Sequence, residues 1–285
     1  MKCAPPYFEP GGGGINVARA IKKLGGEALA IYLAGGYTGK FFTQLLEKEG
    51  VKNTCIETAG HTRENLIVFD NSTSLQYRFG MPGPGIAEEE WKQLLNAIEK
   101  NEGAEFIVAS GSVPAGVPPD IFARIAAIAK KKKAKFIVDT SGDALKHATD
   151  EGVYLLKPNL SELSSLVGKE ELNTEQTGTL ARTLIEKGNC EIVVVSLGAE
   201  GALLVTQTEM HSISPPPVER KSTVGAGDSM VAGIVLSLGR GRSLLESVQY
   251  GVACGTAATM NPGTELCKPE DVATIYAAIR GKKNG

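Results

Sequence analysis

Apolar and polar positions along this chain follow two rhythms. Short runs rich in Val and Ile, at Ala28–Leu33, Phe106–Ala109, Phe136–Asp139, Val153–Leu156 and Ile192–Ser196, are too short for helices and predict buried strands. Longer amphipathic stretches alternate with them, at Ile15–Leu24, Thr38–Glu49, Ala87–Lys100, Pro118–Lys131 and Thr174–Lys187. Ser243–Met260 reads as a further helix. Such alternation predicts an α/β fold with a mostly parallel sheet covered on both faces. Gly201–Thr206 and Glu209–Ile213 read as a hairpin, so part of the sheet is expected to be antiparallel. One region breaks the rhythm: Glu64–Asp70 and Leu75–Gly80 are strand-like, joined by polar Asn71–Ser74 with no helix between. This predicts a projecting hairpin, either a lid or dimer contact or a plain edge extension. Gly281–Gly285 reads as a frayed, solvated end.

Composition narrows the picture. Of 285 residues, 34 are glycine, where the usual share of about 7% predicts about 20. The glycines fall in clusters between apolar runs, which excludes a collagen-like period. An apolar share of 42% excludes disorder. A net charge of −2 argues against a broad nucleic-acid footprint. The run Lys130–Lys133, followed by Lys135, ends a predicted helix and lacks interleaved aromatic residues, so it reads as a solvated helix terminus. No apolar run approaches the roughly 18 residues of a membrane span, and Met1–Pro10 lacks the apolar core of a signal peptide. The cysteines at 3, 55, 190, 254 and 267 show no C-x-x-C spacing and read as free thiols of a reducing, cytoplasmic compartment. No internal repeat or low-complexity linker divides the chain.

The glycine clusters carry the candidate chemistry. Thr223–Ser229, with Gly225-Ala226-Gly227-Asp228 at its centre, opens into the apolar run Met230–Leu238. A small-residue turn that starts a helix leaves backbone N–H groups free and adds the helix dipole, an anion hole suited to a moving phosphoryl group. Asp228 within it is either a base for an attacking hydroxyl or a helix cap. Pro10–Ala18 contains four successive glycines before a helix and reads as a binding loop rather than a hinge. Asn16 there offers both a donor and an acceptor to sugar hydroxyls. Ala34-Gly35-Gly36 would flank the same pocket. Leu156–Glu162 follows a buried strand, where α/β sheets bind ligands. Asn159 and Glu162 could hold magnesium through water, or could simply form a capping box. Ser196–Gly201 is a similar turn. Arg63 and Arg78, on the predicted hairpin, suit phosphate binding, and Ser110-Gly111-Ser112 completes the set.

Together these residues resemble the PfkB-type carbohydrate kinases of the ribokinase-like superfamily, from about Phe8 to Tyr276. Gly-Gly followed by Asn, the Asn-x-x-Glu of Asn159–Glu162 and the Gly-Ala-Gly-Asp of Gly225–Asp228 occur in the family's order. Pro10–Ala20, Pro215–Val218 and Ser222–Met230 resemble the ATP-dependent 6-phosphofructokinase branch. Other branches usually carry lysine where this chain has Gly13. The resemblance implies a three-layer αβα sandwich, one kinase domain over 1–285, with a β lid from about residues 1–10 and 63–80. It implies ATP-dependent phosphorylation of the C1 hydroxyl of fructose 6-phosphate, with tagatose 6-phosphate as the alternative substrate. Asp228 would be the general base, and the amides of Gly225, Ala226 and Gly227 would take the developing charge. Gly12, Gly13, Gly14, Ile15 and Asn16 would hold the sugar, with Ser112 close by and Arg63 and Arg78 near its phosphate. Lys157, Asn159, Ser196, Gly198, Gly201 and Thr256 would line the ATP site. Glu162 would organise Mg2+. Ser222, Val224, Ala258, Asn261 and Gly263 would form a loop for K+. The expected assembly is a homodimer through the lid, with no nucleic-acid or membrane partner.

Three departures from the family pattern stand out. The family has a core strand ending in a sugar-binding Asp before the first glycine loop, and no Asp precedes Gly11 here. The resulting expectations are an absent inner strand, exposed sheet edges and, as the second alternative, a catalytically weak ligand-binding relative. Glu265 stands where close relatives carry Arg, and Arg220 where a small hydroxyl residue is expected.

Overall fold

The computed structural model describes residues 4–70, 72–73, 75–169 and 174–281. Met1–Cys3, Asn71 and Ser74 of the predicted turn, and the predicted frayed end after Gly281 lie outside the described residues. The chain begins with α1 (Gly13–Lys23), β1 (Leu29–Gly35), α2 (Gly36–Lys48) and β2 (Lys52–Thr58). The hairpin β3 (Leu66–Asp70) and β4 (Leu75–Phe79) follows. Next come α3 (Glu88–Lys100), β5 (Phe106–Ser110), α4 (Ile121–Lys132), β6 (Lys135–Asp139), α5 (Gly142–Glu151), β7 (Val153–Leu156), α6 (Leu160–Val167), α7 (Thr174–Glu186) and β8 (Cys190–Ser196). The last part holds β9 (Ala202–Val205), β10 (Met210–Ile213), α8 (Ala226–Gly239), α9 (Leu244–Thr259) and α10 (Pro269–Gly281).

The main sheet has the order β10-β9-β8-β7-β6-β5. β5 to β8 run parallel, and β9 and β10 form the antiparallel hairpin expected at this end. Period-2 alternation divides each central strand between two cores. On β8, Ile192 and Val194 face one core and Val193 and Val195 the other. The first core is closed by α1, α8, α9 and α10, the second by α3 to α7. The result is a three-layer αβα sandwich. Helix α8 is buried along Ser229–Val235, because the apolar run after the glycine turn packs on the sheet and on α9.

The predicted strands and helices are present. β2, α5 and α10 are additional elements. The mostly polar β2 owes its conformation to a ladder with β1, from Leu29↔Lys52 to Gly35↔Thr58, rather than to an apolar run. Among the described residues, β1 pairs only with β2, and β5 only with β6. Both are therefore sheet edges, although α1 packs against each of them. Ile31, Leu33, Phe106, Ile107 and Val108 on these edges are only half-buried. Residues 4–10 form no strand, so β3 and β4 supply the described strands of the projecting hairpin. Lys130–Lys132 form the last turn of α4, as the charge pattern predicts, and Lys133 takes the left-handed cap position with φ 57°. Burial pushes the Cys190 thiol up to about 12, an inert rather than a reactive thiol. No helix among the described residues is long and apolar enough to cross a membrane.

Candidate active site

Ser110, Asp139, Leu156 and Ser196 end four parallel strands, β5 to β8, on one edge of the sheet. A parallel sheet must gather its strand ends this way, and its connecting turns are free there to bind ligands. The start of α8 lies against the same edge. Gly225 caps it in the left-handed region with φ 72°, and Ser229 N–H closes the first turn on Gly225 O at 2.8 Å. The N–H groups of Gly227 and Asp228 find no backbone acceptor among the described residues. They remain outward-facing donors at the positive end of a fourteen-residue helix.

Asp228 does not cap this helix. Its carboxylate accepts from Asn16 Nδ2 at 2.9 Å and from Ser110 Oγ at 3.3 Å. Burial, the dominant cause, raises its pKa. The Asp139 charge adds to the rise, while the Asn16 and Ser110 hydrogen bonds and the Lys157 charge oppose it. A carboxylate pushed toward neutral pH beside free amides is suited to take a proton from a hydroxyl. Asp139 and Lys157 form a buried ion pair at 3.1 Å next to Gly227. Asp139 is a site residue that the motifs do not single out. Its available signal is its place at the end of a buried strand.

Asn159 and Glu162 form the full capping box: Glu162 N–H donates to Asn159 Oδ1 and Asn159 N–H to Glu162 Oε2, both at 2.8 Å. The second carboxylate oxygen of Glu162 keeps no hydrogen bond to the described residues. Burial raises the Glu162 pKa, with Asp139 adding and Lys157 opposing, so these four ionisable groups act as one electrostatic cluster. No three acidic, His or Cys side chains converge to ligate a metal directly among the described residues. Glu162 and Asp139, two carboxylates of this cluster, are nevertheless a donor set of the kind that Mg2+ accepts when it keeps its waters.

The glycine loop packs on the end of β5. At Gly13, a Cβ would come within 2.6 Å of Ser110 C and 2.7 Å of Gly111 N, so no side chain fits without moving backbone. Gly12, with φ 123°, caps α1, Gly14 and Ile15 complete its first turn, and Asn16 reaches Asp228 from there. Ser110, rather than Ser112, touches Asp228, and Ser112 is exposed. Arg63 and Arg78 are exposed on and beside the hairpin, joined to the cluster by no hydrogen bond or ion pair. Ser196 bridges to Asn159, and Gly198 and Gly201 shape the turn that follows, Gly201 lying against Ile213 O. Thr256 follows Gly255, where an added Cβ would lie 3.0 Å from Ala226 O.

The candidate cation loop is drawn together. Ser222 Oγ donates to Gly263 O at 2.6 Å, Asn261 N–H to Ala258 O at 3.2 Å, and Val224 N–H to Ser222 Oγ at 3.2 Å. Glu265 pairs with Lys268 at 3.3 Å, and Arg220 is exposed.

A half-buried carboxylate, a helix-start anion hole and a lysine at the ends of parallel strands define a phosphotransferase-type site on an α/β sandwich. The family profile described as pfkB family carbohydrate kinase matches residues 2–271. The chain is 45% identical to the ATP-dependent 6-phosphofructokinase isozyme 2 of Escherichia coli, over 98% of this chain and 91% of that protein. It is 33% identical to the 1-phosphofructokinase of Bacillus subtilis, over 90% of this chain and 84% of that one. The crystal structure of the Escherichia coli phosphofructokinase-2 in complex with potassium superposes with a TM-score of 0.94, over 98% of this chain and 91% of that one. The chain belongs to the pfkB family of carbohydrate kinases and has its ribokinase-like fold.

Proposed function

We propose that the protein transfers the γ-phosphoryl group of ATP to the C1 hydroxyl of fructose 6-phosphate. The observation that carries this reading is Asp228. It stands in the first turn of α8, held by Asn16 and Ser110 rather than by its own helix, with its pKa raised by burial. In the proposed step Asp228 accepts the C1 proton as that oxygen attacks phosphorus, and ADP departs. The free amides of Gly227 and Asp228 would face the transferring oxygens and need no reorganisation to stabilise them, whereas the Ala226 N–H is turned to Thr223 O at 3.5 Å. Lys157 supplies a positive charge beside them, kept in place by Asp139. Gly12–Asn16 and Ser110 position the sugar. Arg63 and Arg78 reach its phosphate when the hairpin closes. Mg2+ would be held by Glu162 and Asp139 and, when bound, neutralises phosphate charge. K+ would sit in the 222–224 and 258–263 loops. The 45% identity to a 6-phosphofructokinase favours this substrate, as does Gly13, whose place leaves no room for the lysine of other branches.

A second reading, a weak or idle sugar-phosphate binder, draws on the unpaired edges of β1 and β5. A coupled ADP-release assay across fructose 6-phosphate, tagatose 6-phosphate, fructose 1-phosphate and unphosphorylated sugars separates the readings. Turnover of fructose 6-phosphate that Asp228→Ala abolishes is the expected result. Turnover confined to unphosphorylated sugars refutes the substrate. Binding of fructose 6-phosphate without turnover favours the idle reading.

The homodimer is also proposed. Leu66, Leu75, Tyr77 and Phe79 share one face of the hairpin in its antiparallel register, and each is about half exposed, at 47–53%. A second copy would cover this face.

A further inference from the structure

Arg19 is a buried cation outside the set of residues given roles above. It lies one turn beyond Asn16 on α1, and its side chain is 2% exposed. Its guanidinium is fully engaged. Nε and Nη2 donate to the two carboxylate oxygens of Glu49 at 2.7 and 2.6 Å, and Nη1 donates to Pro10 O at 2.7 Å. Nη2 also reaches Glu9 at 3.4 Å, and Glu9 accepts from the Thr264 hydroxyl. Nη1 lies 3.5 Å from Asn16 Oδ1, while Asn16 Nδ2 donates to Asp228 at 2.9 Å.

A primary amide has one accepting end and one donating end. A cation beside the oxygen decides which end points where. Turned over, Asn16 would set its oxygen against the Asp228 carboxylate and its NH2 against the guanidinium, two repulsive contacts in a half-buried place. The Glu49 fork holds the guanidinium still, so the preference is built in before substrate arrives. The bond to Pro10 O holds the start of the glycine loop by the same group.

We infer that Arg19 is a positioning residue for phosphoryl transfer: it orients the Asn16 amide, and through it the Asp228 carboxylate, and clamps the glycine loop. The kinetic part rests on the function proposed above. Besides Asn16 from α1, the groups facing Asp228 are Ser110 from β5, Asp139 from β6 and Lys157 after β7. The Asn16 donor lowers the Asp228 pKa, so losing its orientation moves the acid limb of the rate profile to higher pH.

The test compares Arg19→Met, Arg19→Lys, Asn16→Ala and the Arg19→Met/Asn16→Ala double variant by kcat/KM for fructose 6-phosphate across pH. Arg19→Met is expected to lose about 10- to 100-fold and to shift the acid limb upward. The double variant should fall below Asn16→Ala alone by much less than Arg19→Met falls below wild type, the remainder being the loop clamp. Losses that multiply, or an unmoved acid limb in folded Arg19→Met, overturn the inference. Should Arg19→Met fail to fold, Arg19→Lys is read instead: without the fork its charge is no longer held beside Asn16 Oδ1, so a smaller loss and an upward move of the acid limb are expected, and wild-type kcat/KM with an unmoved acid limb overturns the inference. A measurement free of turnover runs beside it: the side-chain amide signals of Asn16 in a 15N NMR spectrum, identified by their absence in Asn16→Ala. They should titrate in wild type, stay fixed in Asp228→Asn and lose that titration in the Arg19 variant. An unchanged titration in the Arg19 variant overturns the inference. A wild type that titrates without kinase activity refutes the function and leaves the Arg19 assignment standing.

Discussion

The glycines of the first loop are not equivalent, and alanine at Gly11, Gly13 and Gly14 should show it. At Gly13 an added Cβ would come within 2.6 Å of Ser110 C and 2.7 Å of Gly111 N, and would also strike Ser110 Oγ. Carbon contacts settle at about 3.5–4.0 Å, so the loop and the end of β5 must part by about 1 Å. The opposing atoms are backbone, and no rotamer change relieves them. Overpacking of this kind costs about 1–3 kcal/mol. A 1 Å misplacement near reacting atoms costs about 100-fold in rate. At Gly14 the nearest atom is Ser110 O, an ordinary contact at 3.8 Å, and nothing lies within 4 Å of Gly11. Gly14 is in α1 without a positive φ. Its replacement by alanine should therefore stabilise the fold, by about 0.4–1 kcal/mol. The assay is thermal unfolding of all three variants, with kcat/KM measured for Gly13→Ala. A Gly13→Ala protein with wild-type Tm and wild-type kcat/KM would refute the packing argument. So would equal losses of stability at Gly13 and Gly14.

Other outcomes follow from the same geometry. Asp228→Asn should lower kcat by about 100- to 10,000-fold and raise Tm at pH 7, because burial raises the folded pKa and the charged carboxylate costs stability. The Tm gain should fade as pH falls through the raised folded pKa and vanish below the unfolded value, where Asp228 is protonated in both states; a gain that grows with acid contradicts the sign. Lys157→Met leaves Asp139 as a buried, unpaired charge and should cost about 3–5 kcal/mol in urea unfolding. A loss under about 1 kcal/mol would show the pair to be solvent-screened. Phe79→Glu on the apolar face of the hairpin should shift sedimentation toward the monomer, and an unchanged mass places the dimer contact elsewhere. A wild-type rate that rises when a synthetic apolar β-strand peptide is added would tie the open edges of β1 and β5 to activity.

Local structure was legible in the residues themselves because it depends on neighbours within about four positions. The apolar runs became the predicted strands. Asn159 and Glu162 form their box with each other, and the turn before Met230 opens α8. For the same reason the motifs left each pair of readings open: a capping box and a metal site need the same two residues. What they could not contain is what faces Asp228. Asn16 lies 212 residues away in the chain and Ser110 lies 118 away. The same holds for the choice of Ser110 over Ser112, for the Asp139–Lys157 pair and for the burial of Arg19 against Glu49. These depend on the order of strands in the sheet, which carries four strand ends and two glycine turns to one edge. The sequence by itself determined where backbone N–H groups are left free, since a helix start is a local event. Only the tertiary structure decided that a half-buried carboxylate stands beside them with a raised pKa, because desolvation and facing charges come from segments that meet only when the sheet is assembled.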